Sequence, residues 1–491
     1  MKLREVLIIF FLFVIYLLFP SANPTTDSWY YAACVKHGQD LFLPHHLLYN
    51  ALNYGFYEIL LFLGIHVGAL AFMQAFNAVI AALCLVVFHK ILLILKLKER
   101  NIGGFILIAG SSFVFIRFAT ENETYLLALF FSLIATVFFI SDAKKSKHKI
   151  PLAGFFATLA CLFHQLHFFW WLAFLLSLFF YQRNFKTIFR FLITATIVPV
   201  VYYLVLIGHV KESGVNSLVQ FVFYEYFQGV STSFSIGYLK FGIINFARSF
   251  LQIHGQIISL VSYNWVFAIP AFFALLFAVI GLSRKRLAVK ENLLIKEHRF
   301  LFILIFLLQL LFAFYSYGNA EFMLMLPLLL LLVSTSFIHF NSKSLYWIAA
   351  SLLIWNLSFS IVPNSKMHLN ADEFLITKVI EKDSDLFIIQ NSQRLENRVY
   401  YEHEYYPNNI IRSPFSFQER GRDLDSLRHI IADGLSCGKN IYTDCLNLLP
   451  LDRSFLLSKK VNENFFNAYQ IDKSDSFSVV GEEFYLFKVT R

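Results

Sequence analysis

The 491-residue chain is 58% hydrophobic and only 15% charged, carries 59 phenylalanines and has a formal net charge of +9. So little charge excludes an ordinary soluble globular protein, and mean hydropathy is +0.61. The basic excess gathers in short turns between apolar runs, where membrane topology accounts for it and nucleic acid is not needed as a partner.

The opening run, 5–20, follows Lys2 and Arg4. It reads as a retained first span rather than a cleaved signal peptide, although Ser21-Ala22-Asn23 resembles a cleavage site. Next comes the first polar segment, DSWYYAACVKHGQDLFLPHHLLY (27–49). Beyond His45, Asn50, Asn53 and Glu58 interrupt aromatics and leucines, which predicts an amphipathic helix along the membrane surface. Spans are expected near 69–93, 102–118 and 124–141. Two more share 150–181, reversing at HQLH (164–167), and others follow near 187–208, 259–281, 300–316, 322–338 and 345–361. That makes about eleven transmembrane helices.

Lys and Arg concentrate in KLKER (96–100), KKSKHK (144–149), QRNFK (182–186) and 283–299. The positive-inside rule then puts these turns and the N-terminus in the cytoplasm and the C-terminus outside. The expected fold is mainly α: a polytopic membrane domain over 1–362, with an outer first loop at 21–68, and a soluble extracytoplasmic α/β or α+β domain over 363–491. The latter has about 125 residues, enough for its own core. Cys437 and Cys445 sit close together there, either disulfide-bonded or unpaired.

Ionisable residues near span ends collect on the outer side: Asp27, His45, Arg117, Glu121, His164, His167, Glu225, Lys240, Arg248 and Glu321. Such groups at membrane depth are costly and usually line a cavity or a site. Acids, bases and cations around one rim, next to hydrocarbon, suit a lipid-phosphate substrate. A carboxylate takes the acceptor's proton, and cations or polar donors stabilise the departing phosphate. Direct displacement inverts the anomeric carbon. Each residue also has a plainer reading. Asp27 suits a helix cap, His45 the head of the amphipathic helix, and Arg117 a snorkelling position. Trp29, Tyr30 and Tyr31 suit a sugar platform or, more ordinarily, an aromatic belt. His164 and His167, three apart, would share one helical face.

Four segments carry a family resemblance: DSWYY (27–31), PHHLLY (44–49), FATENETYLLALFF (118–131) and YGNAEFMLMLPLLLLL (317–332). In order and spacing they resemble the GT-C superfamily of integral-membrane glycosyltransferases. The closest branch comprises the protein O-mannosyltransferases and lipid A aminoarabinose transferases, which use polyprenyl-phosphate sugars. The resemblance covers roughly 1–360. It implies Asp27 as the catalytic base, with His45, Tyr49, Glu121 and Tyr125 in the donor cavity. Glu123 and Glu321 stand where that family often has basic residues, leaving Arg117, Lys240 or Arg248 to meet the phosphate. The resemblance implies no required cofactor and no metal ligand, with a divalent cation held by carboxylates as the alternative. The partners it implies are a polyprenyl-phosphate-linked sugar donor, a protein, lipid or glycan acceptor hydroxyl, and membrane lipids. The implied location is a bacterial inner membrane. Rival readings are a transporter or flippase of lipid-linked glycan, a ligase or polymerase using a polyprenyl pyrophosphate, and a noncatalytic assembly subunit.

Overall fold

The structure, a computed structural model, describes residues 1–491 apart from 142–147, 228–236, 254–255, 284–293, 317–318, 339, 413–420 and 448–464. It forms two compact units. One comprises Met1–Pro20, Gly38–Ile253 and Ile269–Ile361, and the other Ser21–His37, His254–Ala268 and Val362–Arg491. The chain changes unit after Ile361, where the sequence turns polar. Segment 21–37, expected with the membrane domain, belongs to the second unit.

In the first unit every apolar run is helical. Its opening helices are α1 (Leu3–Leu18), α3 (Tyr49–Phe62), α4 (Ala69–Ile94), α5 (Glu99–Ser111), α6 (Phe113–Thr120), α7 (Tyr125–Ile140), α8 (Lys149–Phe163) and α9 (Phe168–Ser177). Among the described residues five stretches are long and apolar enough to cross a membrane: Ala69–Ile94, Phe185–Val210, Trp265–Ser283, Lys296–Tyr315 and Ser342–Lys366. The bent pair α5–α6 makes a sixth if counted as one span, and α7, α8 and Glu321–Ser334 are shorter apolar helices. Helix α3 turns Asn50 and Asn53 inward and leaves Phe56, Ile59 and Phe62 exposed. One face of this helix is thus polar and buried and the other apolar and exposed.

The break between α5 and α6 positions the site. The two helices meet at 64° because Ser112 adopts extended backbone, ψ 142°. Breaking a helix frees amide and carbonyl groups that hydrocarbon cannot satisfy, and a neighbouring segment takes them up. The Phe113 amide donates to the Phe250 carbonyl at 3.0 Å and the Val114 amide to Ser249 at 3.2 Å. The Asn356 side chain donates to the Ser111 and Phe250 carbonyls, 2.8 Å each, and accepts from the Gln252 amide at 2.9 Å. Close approach holds α5 itself in place. A Cβ on Gly104 would lie 2.6 Å from Leu345 Cβ, so only glycine admits the helix Ser342–Asn356 there.

The second unit is an α/β layer. Its strands β1 (Leu386–Ile389), β2 (Ile410–Arg412), β3 (Ile441–Thr443), β4 (Gln470–Val479) and β5 (Glu482–Thr490) lie in the order β2-β1-β3-β5-β4. β1 is parallel to β2 and β3, whereas β5 is antiparallel to β3 and β4. Ile388, Leu427, Ile431, Ile441 and Val489 form its core. Helix α2 (Thr26–His37) packs on Ser392–His403. Asn397 donates to the Thr26 carbonyl at 3.0 Å, and Lys36 to the Tyr401 carbonyl at 2.6 Å. Cys437 is exposed and Cys445 buried, and both are free thiols, so the disulfide alternative is corrected.

Candidate active site

One polar cluster lies within the first unit. It starts at the loop from α6 to α7, ENET (121–124). Asn77 of α4 donates to the carbonyls of Glu121 and Glu123, 2.8 Å each, and accepts from the Tyr49 hydroxyl at 3.4 Å. These bonds pin the loop to two other helices. Arg117, the last basic residue of α6, reaches Glu121 at 3.3 Å. Glu121 is only 2% exposed, and the carboxylates of Glu321 and Glu123 are the next charges to act on that guanidinium. One cation among three carboxylates is a tightly held cation. Tyr125 donates its hydroxyl to Glu321 at 3.4 Å, and Asn319 donates to the same oxygen at 3.2 Å.

The histidines complete the cluster. Backbone at His164 is extended, which ends α8 at the expected reversal. Its ring stacks on Tyr125 at 4.6 Å, and Phe118 stacks on Tyr125 at 5.3 Å. His46 lies 6.4 Å from His164 and 4.2 Å from His45, ring to ring. Burial, helped by His45 and His164, pushes the His46 imidazole well below its ordinary value. It is therefore a neutral hydrogen-bonding group at neutral pH. Gln165 holds the turn Pro44–His46 in place. Its amide donates to the Pro44 carbonyl at 3.1 Å, the Tyr202 hydroxyl at 3.0 Å and the Val222 carbonyl at 2.9 Å.

The cluster sits at one end of the bundle. Helices α7 and α8, 16 and 15 residues long, run roughly 22–24 Å at 1.5 Å per residue between it and their far ends at Ile140 and Lys149. It unites Tyr49, Arg117, Glu121, Tyr125, His164 and Glu321 with His45 and His46. The expected amphipathic helix begins at Tyr49, not His45. The Pro44–His46 turn is 3-10, and it buries His46 while leaving His45 half-buried.

Other expected residues are elsewhere. His167 stays close to His164, its amide donating to the His164 carbonyl at 3.1 Å, but its ring has partners of its own. It meets Ser132 at 2.7 Å and stacks on Trp170. Arg248 lies over Phe113, 5.3 Å from its ring, and donates to Gln252 at 3.1 Å. Lys240 is exposed on Gly237–Arg248. Glu225 lies on Tyr224–Phe227, with its side chain outside the described residues.

Asp27 belongs to the second unit and is exposed in the first turn of α2. The cap of that helix is Thr25, whose hydroxyl accepts from the Ser28 amide at 3.0 Å, so the cap reading of Asp27 is corrected. Trp29 and Tyr31 are buried. Arg398 covers the Trp29 ring at 5.3 Å and Tyr401 packs against it at 5.2 Å. That ring is thus a core residue of its unit, neither sugar platform nor membrane belt. Among the described residues no group of three or more His, Cys, Asp or Glu is placed to hold a metal ion. Asn77 and Gln165 are the functional residues missed. Both are polar residues inside or beside apolar runs, a signal that was available.

No family model and no curated protein matches the chain. Several solved structures are similar to it, among them the following two. Apo ArnT from Cupriavidus metallidurans is 10% identical with a TM-score of 0.42, the alignment covering 99% of this chain and 97% of that one. The Archaeoglobus fulgidus oligosaccharyltransferase, in complex with zinc and sulfate, is 12% identical with a TM-score of 0.41, covering 97% of this chain and 72% of that one.

Proposed function

We propose that this chain is an inverting membrane glycosyltransferase. It moves a sugar from a polyprenyl-phosphate donor to the hydroxyl of a protein, lipid or glycan acceptor on the extracytoplasmic side of a bacterial inner membrane. The observation that carries the reading is one connected polar set, the half-buried Arg117 and Glu321 with the buried Glu121, Tyr125, His164 and His46, at one end of an otherwise apolar bundle. Buried polar groups are expensive unless they are used. Arg117, fixed by Glu121, gives a cation for the developing phosphate charge. The neutral imidazole of His46 adds hydrogen-bonding capacity without further charge. Glu321, steadied by Tyr125 and Asn319, suits the hydroxyls of a sugar.

Asp27 is the proposed general base. Its carboxylate is exposed in the first turn of α2, and residues 38–43 join that helix to the Pro44–His46 turn. It would accept the proton of the acceptor hydroxyl as the oxygen bonds to the anomeric carbon, and the polyprenyl phosphate leaves with the electron pair of the broken bond. The test is Asp27→Asn in membranes supplied with a polyprenyl-phosphate sugar, with transfer and protein abundance measured together. Transfer should fall by about 10²-fold or more at unchanged abundance. A well-made variant that transfers at the normal rate overturns the assignment, and activity only with a pyrophosphate-linked donor overturns the donor class.

A further inference from the structure

The other end of the first unit holds a cavity of about 490 Å³. Lys96 and Lys98 contribute to its wall from the link between α4 and α5. Asn101 comes from the first turn of α5, and His298 from the start of Lys296–Tyr315. Asn101 is committed to structure. It donates to the Phe340 carbonyl at 3.2 Å and accepts from the Ser342 hydroxyl at 2.7 Å. Phe105 and Phe340 meet edge to face at 5.1 Å and form an apolar wall.

The lining is basic on balance. No Asp or Glu is among the described lining residues. Two carboxylates adjoin it along the chain: Glu99, ion-paired with Lys2, and Glu297, exposed next to His298. Helices α5 and Lys296–Tyr315 begin at this cavity with their positive dipole ends while α4 ends there with its negative one, so Lys96 and Lys98 supply the net charge. Lys96 occupies the left-handed position that closes α4, φ 55°, where glycine is the usual resident. A lysine is kept there at some conformational cost, and what it adds is charge beside the cavity.

We propose that this cavity binds the headgroup of an anionic phospholipid, its phosphate at Lys96 and Lys98 and its first methylenes against Phe105 and Phe340. A lipid fits better than a free anion. Most of the remaining lining is Leu and Ile, and the cavity lies where two membrane-length helices end. A small hydrophilic anion gains nothing from that apolar wall, whereas a lipid buries its glycerol and upper chains there. Basic pockets between helix ends are suited to such headgroups.

The experiment is a thermal unfolding series on the full-length protein in detergent, with phosphatidylglycerol, phosphatidylcholine or glycerol phosphate added. Phosphatidylglycerol should raise the midpoint, and the other two should not. Lys96→Gly relieves the left-handed backbone and so should fold at least as well, yet lose most of the phosphatidylglycerol shift. Lys96→Gly with Lys98→Gln should abolish it. Lys149→Gln, in a basic segment but outside the cavity, should keep it. An equal shift with phosphatidylcholine overturns the headgroup assignment, and an equal shift with glycerol phosphate replaces the lipid with a free anion. Loss of the shift in Lys149→Gln reduces the effect to general surface charge.

Discussion

At one end of the helix bundle Glu121, Glu123 and Glu321 crowd the guanidinium of Arg117, while at the other Lys96 and Lys98 flank a cavity whose described lining has no carboxylate. The two ends differ in burial as much as in sign. Glu121 is 2% exposed and hydrogen-bonded into a fixed loop. The Lys2–Glu99 pair at the basic end has both side chains more than 60% exposed. Exposed charges are cheap and carry topological information. Buried ones are costly and are retained where chemistry or a ligand uses them. The acid end therefore holds the costly charges and the basic end the cheap ones.

The sharpest way to break that contrast is at Glu121. Glu121→Ala leaves the half-buried Arg117 with Glu123 and Glu321 as its remaining charges, neither in the geometry that Glu121 supplies. Losing one partner of a buried pair costs about 3–5 kcal/mol. The nearby carboxylates should hold the loss toward the low end, read as a fall in the unfolding midpoint of the detergent-solubilised protein. Glu121→Gln keeps the hydrogen bond and should recover much of it. An unchanged midpoint in Glu121→Ala would mean that the cluster is wetter and looser than its burial implies.

Protonation gives a smaller effect of known sign. His46 has its folded value pushed down by burial, so below its ordinary value of about 6.5 the unfolded chain binds the extra proton. Stability is complete above that pH and falls as pH drops, by at most about 1.4 kcal/mol per pH unit. His46→Gln should flatten the wild-type loss between pH 6.5 and 5.5. Equal slopes in the two proteins would place the sensitivity at another group.

Much of this arrangement was legible in the chain. Long apolar runs and basic turns located the helices and the rim that holds Arg117, Glu121, Tyr125, His164 and Glu321. Three things were not legible, each for a physical reason. Helical periodicity cannot say that Pro44–His46 is a 3-10 turn, and that local geometry decides which histidine is buried. The fate of Trp29 depends on Arg398 and Tyr401, hundreds of residues away in sequence. Asn77 joins Tyr49 to the backbone of Glu121 and Glu123. Its polarity inside an apolar run marked it as unusual, but its partners are set by packing alone.

The smallest effect belongs to the basic end. Lys2→Ala removes the ion pair with Glu99. Water and salt screen that pair, and holding two long side chains in one geometry costs entropy, so the unfolding midpoint should move by the equivalent of less than about 1 kcal/mol. Arg4 still donates to the Glu99 carbonyl at 2.7 Å, which keeps the start of α5 tied to α1. The released Glu99 carboxylate should matter more for a ligand than for the fold. It lies next to Lys98, so it would weaken the response to phosphatidylglycerol while leaving the lipid-free midpoint nearly unchanged. A lipid-free loss as large as that of Glu121→Ala would erase the distinction between the two ends, because an exposed charge would then bear as much of the structure as a buried one.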